Sequence, residues 1–262
     1  MLSDTSEPGE SALRTCGLTV TYGGVTANDA VDLHVEAGEV VGLIGPNGAG
    51  KTTFIDAVSG FTPCTGEVWM GQARVDRMPP HRRRRNGLAR TWQAGELFTD
   101  LTAAENLEVA CRNVGLGMVL GDLVRRGAPR RDEHVTRALE AVGLADAGDR
   151  RPTDLSLGEQ KLIGVARALA GGSRVLLLDE PAAGLDTEES RRLGGQLRKI
   201  AAGGIAALLV DHDMGLVLEV CDRVYVLDFG KLISTGTPEQ IVADPAVVAA
   251  YLGSPETHAV HA

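Results

Sequence analysis

Aromatic side chains are scarce in this chain: four Phe, three Tyr and two Trp, 3% of 262 residues. So few rings argue against the stacking platforms on which proteins lay out single-stranded nucleic acid. The four cysteines (Cys16, Cys64, Cys111, Cys221) stand far apart with no paired spacing. That argues against a zinc site and a disulfide framework, and favours a reducing compartment. Apolar runs such as "VLLL" and "IAALLV" fall far short of the ~20 residues that a membrane-spanning helix needs. The opening "MLSDTSEPGE" has neither the basic start nor the apolar centre of a secretory signal. Net positive charge is missing too. The formal balance is −9, so the chain as a whole is a poor partner for nucleic acid. The expectation is a soluble, cytoplasmic protein that reaches a membrane only through a partner.

Hydrophobic residues make up 44% of the chain, enough for one large domain or two packed lobes. From about 13 to 71 short strands are broken by glycines: "LTVTYGG", "AVDLHVEAG", "EVVGLIG", "GEVWMG". One helix interrupts them near Gly50. From about 94 to 165 the apolar residues fall at three- and four-residue spacing, in "LTAAENLEVACRNV" and "DEHVTRALEAVGL", which predicts a helical subdomain. The Gly- and Arg-rich stretch between those helices reads as a flexible connection. Beyond it, strand and helix alternate. "RVLLLD" and "IAALLVD" are continuous apolar runs of the kind buried on both faces of a parallel sheet. "TEESRRLGGQLRKIAA" and "DMGLVLEVCD" are candidate helices, and "RVYVLDFGKLISTG" closes as a hairpin at Phe229-Gly230. This pattern predicts an α/β fold with a parallel sheet.

The chemistry concentrates at "GPNGAGKTT", directly after the apolar "EVVGLI". Gly45, Gly50, Lys51 and Thr52 fit G-x-x-x-x-G-K-[ST]. Glycines let the backbone curl so that N–H groups converge, and the following helix turns its positive end toward the same point. Gly45, Pro46, Asn47, Gly48, Ala49, Gly50, Lys51, Thr52 and Thr53 are therefore the candidate phosphate cradle. Lys51 would reach the β- and γ-phosphates, and Thr52 would supply a hydroxyl to Mg²⁺. "RVLLLDEP" brings two carboxylates to the end of an apolar strand, where α/β sheets bind ligands. Asp179 is the candidate metal carboxylate and Glu180 the candidate for polarising an attacking water. "LSLGEQ" precedes that strand and opens a helical stretch. Ser156 and Gly158 there offer a hydroxyl and N–H groups, a second phosphate site. Two chains facing head to tail can aim both cradles at one γ-phosphate.

Taken together, these motifs resemble the ATP-binding-cassette (ABC) ATPases, over nearly the whole chain. Tyr22 in "TYGG" resembles the aromatic that stacks on adenine, and Gln93 in "RTWQ" the glutamine that senses Mg²⁺ and the γ-phosphate. "LSLGEQ" resembles the family signature. Asp186 in "AGLD" resembles the loop that crosses the dimer interface, and His212 in "VDHDM" the γ-phosphate histidine. The resemblance implies a P-loop NTPase core, mostly parallel sheet with an antiparallel β subdomain, at 12–93 and 166–253. It implies an inserted helical subdomain at 94–165 and leaves 254–262 as a flexible tail. ATP and Mg²⁺ follow as cofactors, with Glu180, His212 and Gln93 catalytic and Thr52, Gln93 and Asp179 around the metal. Further stretches, among them "GLARTWQ" and "GTPEQIVADPAVVAAYLG", resemble the ATPases of bacterial branched-chain amino acid importers. The implied assembly is two ATPase subunits, identical or different, two permeases and an extracytoplasmic binding protein, with the ATPases at the inner membrane face. An exporter motor, a soluble ABC ATPase and an ATP-sensing module are the alternatives.

The signature departs from the usual pattern at Leu157 and Glu159, and Thr187 stands where proline is usual. Glu159 is expected to point away from the nucleotide, because an inward carboxylate would repel phosphate. The run Arg82 to Arg85 invites a nucleic-acid reading. The acidic total and missing aromatics favour a solvated surface turn instead.

Overall fold

The computed structural model describes residues 11–91, 97–111, 133–211 and 213–252. Two sheets organise it. The first is antiparallel, in the order β2-β1-β4-β5: β1 (Ser11–Tyr22), β2 (Val25–Glu36), β4 (Thr65–Met70) and β5 (Ala73–Arg74). The second has six strands in the order β10-β9-β3-β8-β7-β6. In it β3 (Val40–Ile44) lies between β9 (Arg223–Asp228) and β8 (Ala206–Val210), parallel to both. β7 (Val175–Asp179) and β6 (Leu88–Arg90) continue the parallel set. β10 (Lys231–Gly236) returns antiparallel to β9 through the expected hairpin, whose Phe229 and Gly230 both take positive φ.

Alternate residues of the apolar strands serve two cores, the period of two that a pleated strand imposes. Val41, Leu43, Val175, Leu177 and Leu208 pack toward the antiparallel sheet. Val40, Ile44, Leu176, Leu178 and Leu209 pack into the other core, which the helices share. Those helices are α3 (Ala103–Cys111), α4 (Glu133–Ala141), α5 (Leu157–Ala170), α6 (Thr187–Ala202) and α7 (Met214–Val220). The expected boundary at 165 falls inside α5. α6 covers the stretch read as a candidate helix. α8 (Pro238–Ala243) and α9 (Pro245–Leu252) close the chain as described and were not foreseen as helices. No disulfide joins the four cysteines to one another.

One expectation is corrected. The arginine run is not a solvated turn but the helix α2 (Pro80–Arg85), opened by proline at its first position. Arg82, Arg84 and Arg85 are exposed, whereas Arg83 is 2% exposed. Its guanidinium donates to Ala57 O and Val58 O (both 2.7 Å) at the end of α1 (Lys51–Ser59), and to Asp76 O (2.7 Å) and Met78 O (2.9 Å). A fork of five N–H donors can fill that set; no other side chain can.

Candidate functional site

β3 delivers the chain to a loop whose glycines are sterically required. Gly45 has φ 152°, and a Cβ on it would lie 2.0 Å from Leu227 O. Gly50 has φ 104°, and a Cβ there would lie 2.4 Å from Ala27 O. Backbone from β2 and β9 thus crowds the loop from outside, leaving its inner face to the N–H groups. Asn28 of β2 fastens it by donating to Gly50 O (3.2 Å), and the Gly230 N–H of the hairpin donates to Ala49 O (2.9 Å). Asn47, Gly48 and Thr52 are exposed and Thr53 is half-buried, the last two in the first turn of α1, which starts at Lys51.

Lys51 is 8% exposed and donates to Gly45 O (2.6 Å) and Pro46 O (3.0 Å). Burial pushes its ammonium below the ordinary lysine value; the nearby Glu180 and Asp179 carboxylates oppose that shift. Lys51 of the cradle thus lies within electrostatic reach of both strand-end acids. Asp179 is buried at the end of β7, and Arg90 Nη2 donates to its Oδ2 at 2.8 Å. The same guanidinium binds Asp56 and reaches Ser59 Oγ (3.3 Å), so Arg90 ties Asp179 to α1. Glu180 follows at φ 46°, with its N–H donating to Val210 O (2.7 Å). A non-glycine residue held left-handed costs ~1–3 kcal/mol, and such strain clusters at functional sites. Asp211, 1% exposed, accepts from Ala182 N (3.2 Å) and Asp213 N (3.0 Å), pinning the loop after β7 to the end of β8.

The fit to a nucleoside triphosphate with Mg²⁺ is good on chemistry. The cradle supplies N–H groups and an ammonium for phosphate. Thr52 and Asp179 are hard oxygen donors of the kind Mg²⁺ takes beside phosphates and water. Gln93 and His212 lie outside the described residues. Tyr22 ends β1, is 53% exposed, and its hydroxyl stands 3.4 Å from Thr62 Oγ1.

Ser156 and Gly158 stand at the N-terminus of α5. Ser156 caps α5, accepting from Glu159 N (3.2 Å), while Glu159 Oε2 accepts from Ser156 N (2.9 Å). This reciprocal box also draws in Arg150, 3.1 Å from Glu159 Oε1. The unusual signature carboxylate is thus spent on its own helix and an arginine. Ser156 Oγ and Gly158 N instead hold Glu189 of α6. Asp186 caps α6, accepting from Glu188 N (2.9 Å) and Glu189 N (2.8 Å).

Residues that spacing alone did not flag complete the site. Arg90 and Asp211 carry no local motif. Tyr251 of α9 packs on the helical core, and burial pushes its hydroxyl up to about 12 against a hydrogen bond with the Gly45 backbone. Between core and helices lies a groove of about 580 Å³, lined by residues that include Ser59, Arg84, Arg90, Thr91 and Arg167. Phe61, Phe98 and Val109 stand half-exposed along it.

A parallel sheet whose central strand runs through a glycine loop into a helix defines a P-loop nucleotide-binding protein. Comparison with known proteins narrows this. A family model described as ABC transporter matches residues 28–183, and one described as branched-chain amino acid ATP-binding cassette transporter matches 231–257. The high-affinity branched-chain amino acid transport ATP-binding protein BraF of Pseudomonas aeruginosa is 38% identical over 92% of this chain and 97% of its own. The ADP conformation of MJ1267, an ATP-binding cassette of an ABC transporter, superposes with TM-score 0.79 at 29% identity, covering 93% of this chain and 99% of that one. The dimeric post-hydrolysis structure of the cassette MJ0796 with ADP and Pi gives 0.68 at 25% identity, covering 86% and 98%. The chain belongs to the ABC transporter family.

Proposed function

We propose that this chain is the ATP-hydrolysing subunit of an importer for branched-chain or other hydrophobic amino acids. It works as a dimer, with itself or a second cassette, on two permeases at the inner face of the membrane, served by an extracytoplasmic binding protein. The observation that supports the dimer is that the two phosphate-type sites keep different partners within one chain: Lys51 bonds its own loop while Ser156 and Gly158 bond Glu189. In this reading a second chain brings its signature to the γ-phosphate.

In this reading Gly45 to Thr53 hold the phosphates through N–H groups and Lys51, and Tyr22 stacks on the base. Thr52, Asp179 and Gln93 would hold Mg²⁺, which would supply charge neutralisation to the phosphates. Glu180 orients and deprotonates the attacking water, and His212 steadies the γ-phosphate. Ser156 and Gly158 of the partner complete the oxygen shell. The groove beside Thr91 receives a permease helix. Its half-exposed Phe61, Phe98 and Val109 supply apolar contact, and Arg84, exposed at its edge, favours an acidic residue on that helix. Arg90 lines the groove and also holds Asp179, which suits transmission between the two.

Glu180→Gln tests the reading. The variant should bind ATP normally, form an ATP-dependent dimer measurable by light scattering, and turn over at least about a hundredfold more slowly, the scale of a lost general base. Full steady-state activity in that variant overturns the role of Glu180. Lys51→Ala, the control, should lose ATP binding itself.

A further inference from the structure

The N-terminus of α5 already holds an anion supplied by its own chain. Ser156 Oγ donates to Glu189 Oε1 at 3.0 Å, and the Gly158 N–H donates to the same oxygen at 3.2 Å. One carboxylate oxygen thus takes both donors that the proposed function assigns to a partner's γ-phosphate. The contact is close: a Cβ on Gly158 would lie 3.0 Å from that oxygen. It is also anchored, because the Glu189 N–H is bonded to Asp186. The neighbouring acid cannot substitute, since Glu159 is engaged by the Ser156 N–H and Arg150. Leu157 leans toward Gly184, holding the start of α5 beside the 182–186 loop.

We propose that Glu189 is an internal plug of the signature. It occupies the phosphate-facing donors in the open protein and must leave before a nucleotide on the partner can reach them. Two anions cannot share one pair of donors, so the carboxylate competes directly with the γ-phosphate. Opening the plug therefore enters the closure equilibrium twice in a dimer of identical chains. ADP, which carries no γ-phosphate, leaves the plug in place, so a spent site favours reopening. The inference rests on the two-chain reading above, and the experiment separates the two.

The test compares Glu180→Gln with Glu180→Gln/Glu189→Gln, full-length, titrated with ATP and Mg²⁺. The dimer fraction is followed by analytical ultracentrifugation, and ADP binding by calorimetry. Glutamine keeps the shape of Glu189 and removes its charge. Charge-assisted hydrogen bonds exceed neutral ones by roughly a factor of two in strength, discounted here for partial exposure. The ATP concentration at half-dimerisation should fall about tenfold, with ADP affinity unchanged within about twofold. Glu189→Ala, which removes both acceptors, should lower it at least as far. An unchanged or higher ATP requirement with normal ADP binding overturns the plug and leaves the two-chain reading standing. Absence of an ATP-driven dimer in every variant, Glu189 intact or not, overturns the two-chain reading and the plug with it.

Discussion

Replacing Arg83 by alanine removes a guanidinium that donates to four main-chain carbonyls, those of Ala57, Val58, Asp76 and Met78. Burial already pushes this group below its ordinary value, a sign of how little solvent reaches it. Ala57 O keeps a second donor in Gly60 N–H (3.1 Å). The other three lose the donor that Arg83 provides. Each buried carbonyl left unsatisfied costs about 1–3 kcal/mol, and water entering the vacated space recovers part of that. A loss of about 3–5 kcal/mol follows, at the upper end of single substitutions. For a chain of this size, about 2 °C of melting temperature per kcal/mol places the shift near 6–10 °C. The assay is thermal unfolding followed by circular dichroism. Arg82→Ala and Arg85→Ala serve as controls of identical chemistry one and two residues away. Both are exposed, and about 0.5 kcal/mol bounds their effect. Arg83→Lys should recover little, because a single ammonium cannot span the fork. If Arg83→Ala melts within about 1 °C of Arg85→Ala, the capping role is wrong.

Arg90→Met leaves Asp56 and Asp179 facing each other without their shared cation, and removing one partner of a buried pair costs about 3–5 kcal/mol. Asp56→Asn in that background should restore part of the loss in urea unfolding; no restoration would deny the bridge. The Ser156 N–H, followed by Arg150, holds the Glu159 carboxyl below the ordinary glutamate value. A depressed folded value means that the capping box stabilises the protein above the unfolded glutamate range and weakens as pH falls through the lowered value. Glu159→Gln should therefore flatten the acid limb of a stability–pH curve while leaving its neutral part sloped as before. An acid limb unchanged in slope would show that Glu159 contributes nothing there.

Much of the site was legible because its physics is local. A glycine loop between an apolar strand and a helix needs neighbours within ten residues, so Gly45, Gly50, Lys51 and Thr52 declare themselves by spacing. The strand-end pair Asp179 and Glu180 does so too, since a fully apolar run fixes where a parallel strand stops. The helix Thr187–Ala202 covers the stretch read as a candidate helix, and the Asp186 cap emerged only in the structure. The arginine run did not yield to the same reasoning. Four identical residues in a row carry no periodic signal, and helix phase alone turns Arg83 inward and its neighbours out.

Sequence by itself determined the α/β class and marked the glycine loop and the strand-end carboxylates as candidates, since each is a short-range pattern of backbone freedom, apolar period and charge. Tertiary structure alone decided which polar groups meet across distance. Arg90 finds Asp179 at a separation of 89 residues, Arg83 finds the end of α1 at 25 and 26, and Glu189 fills the signature from 33 residues away. Such contacts depend on how sheets and helices pack, and no local rule of spacing encodes that.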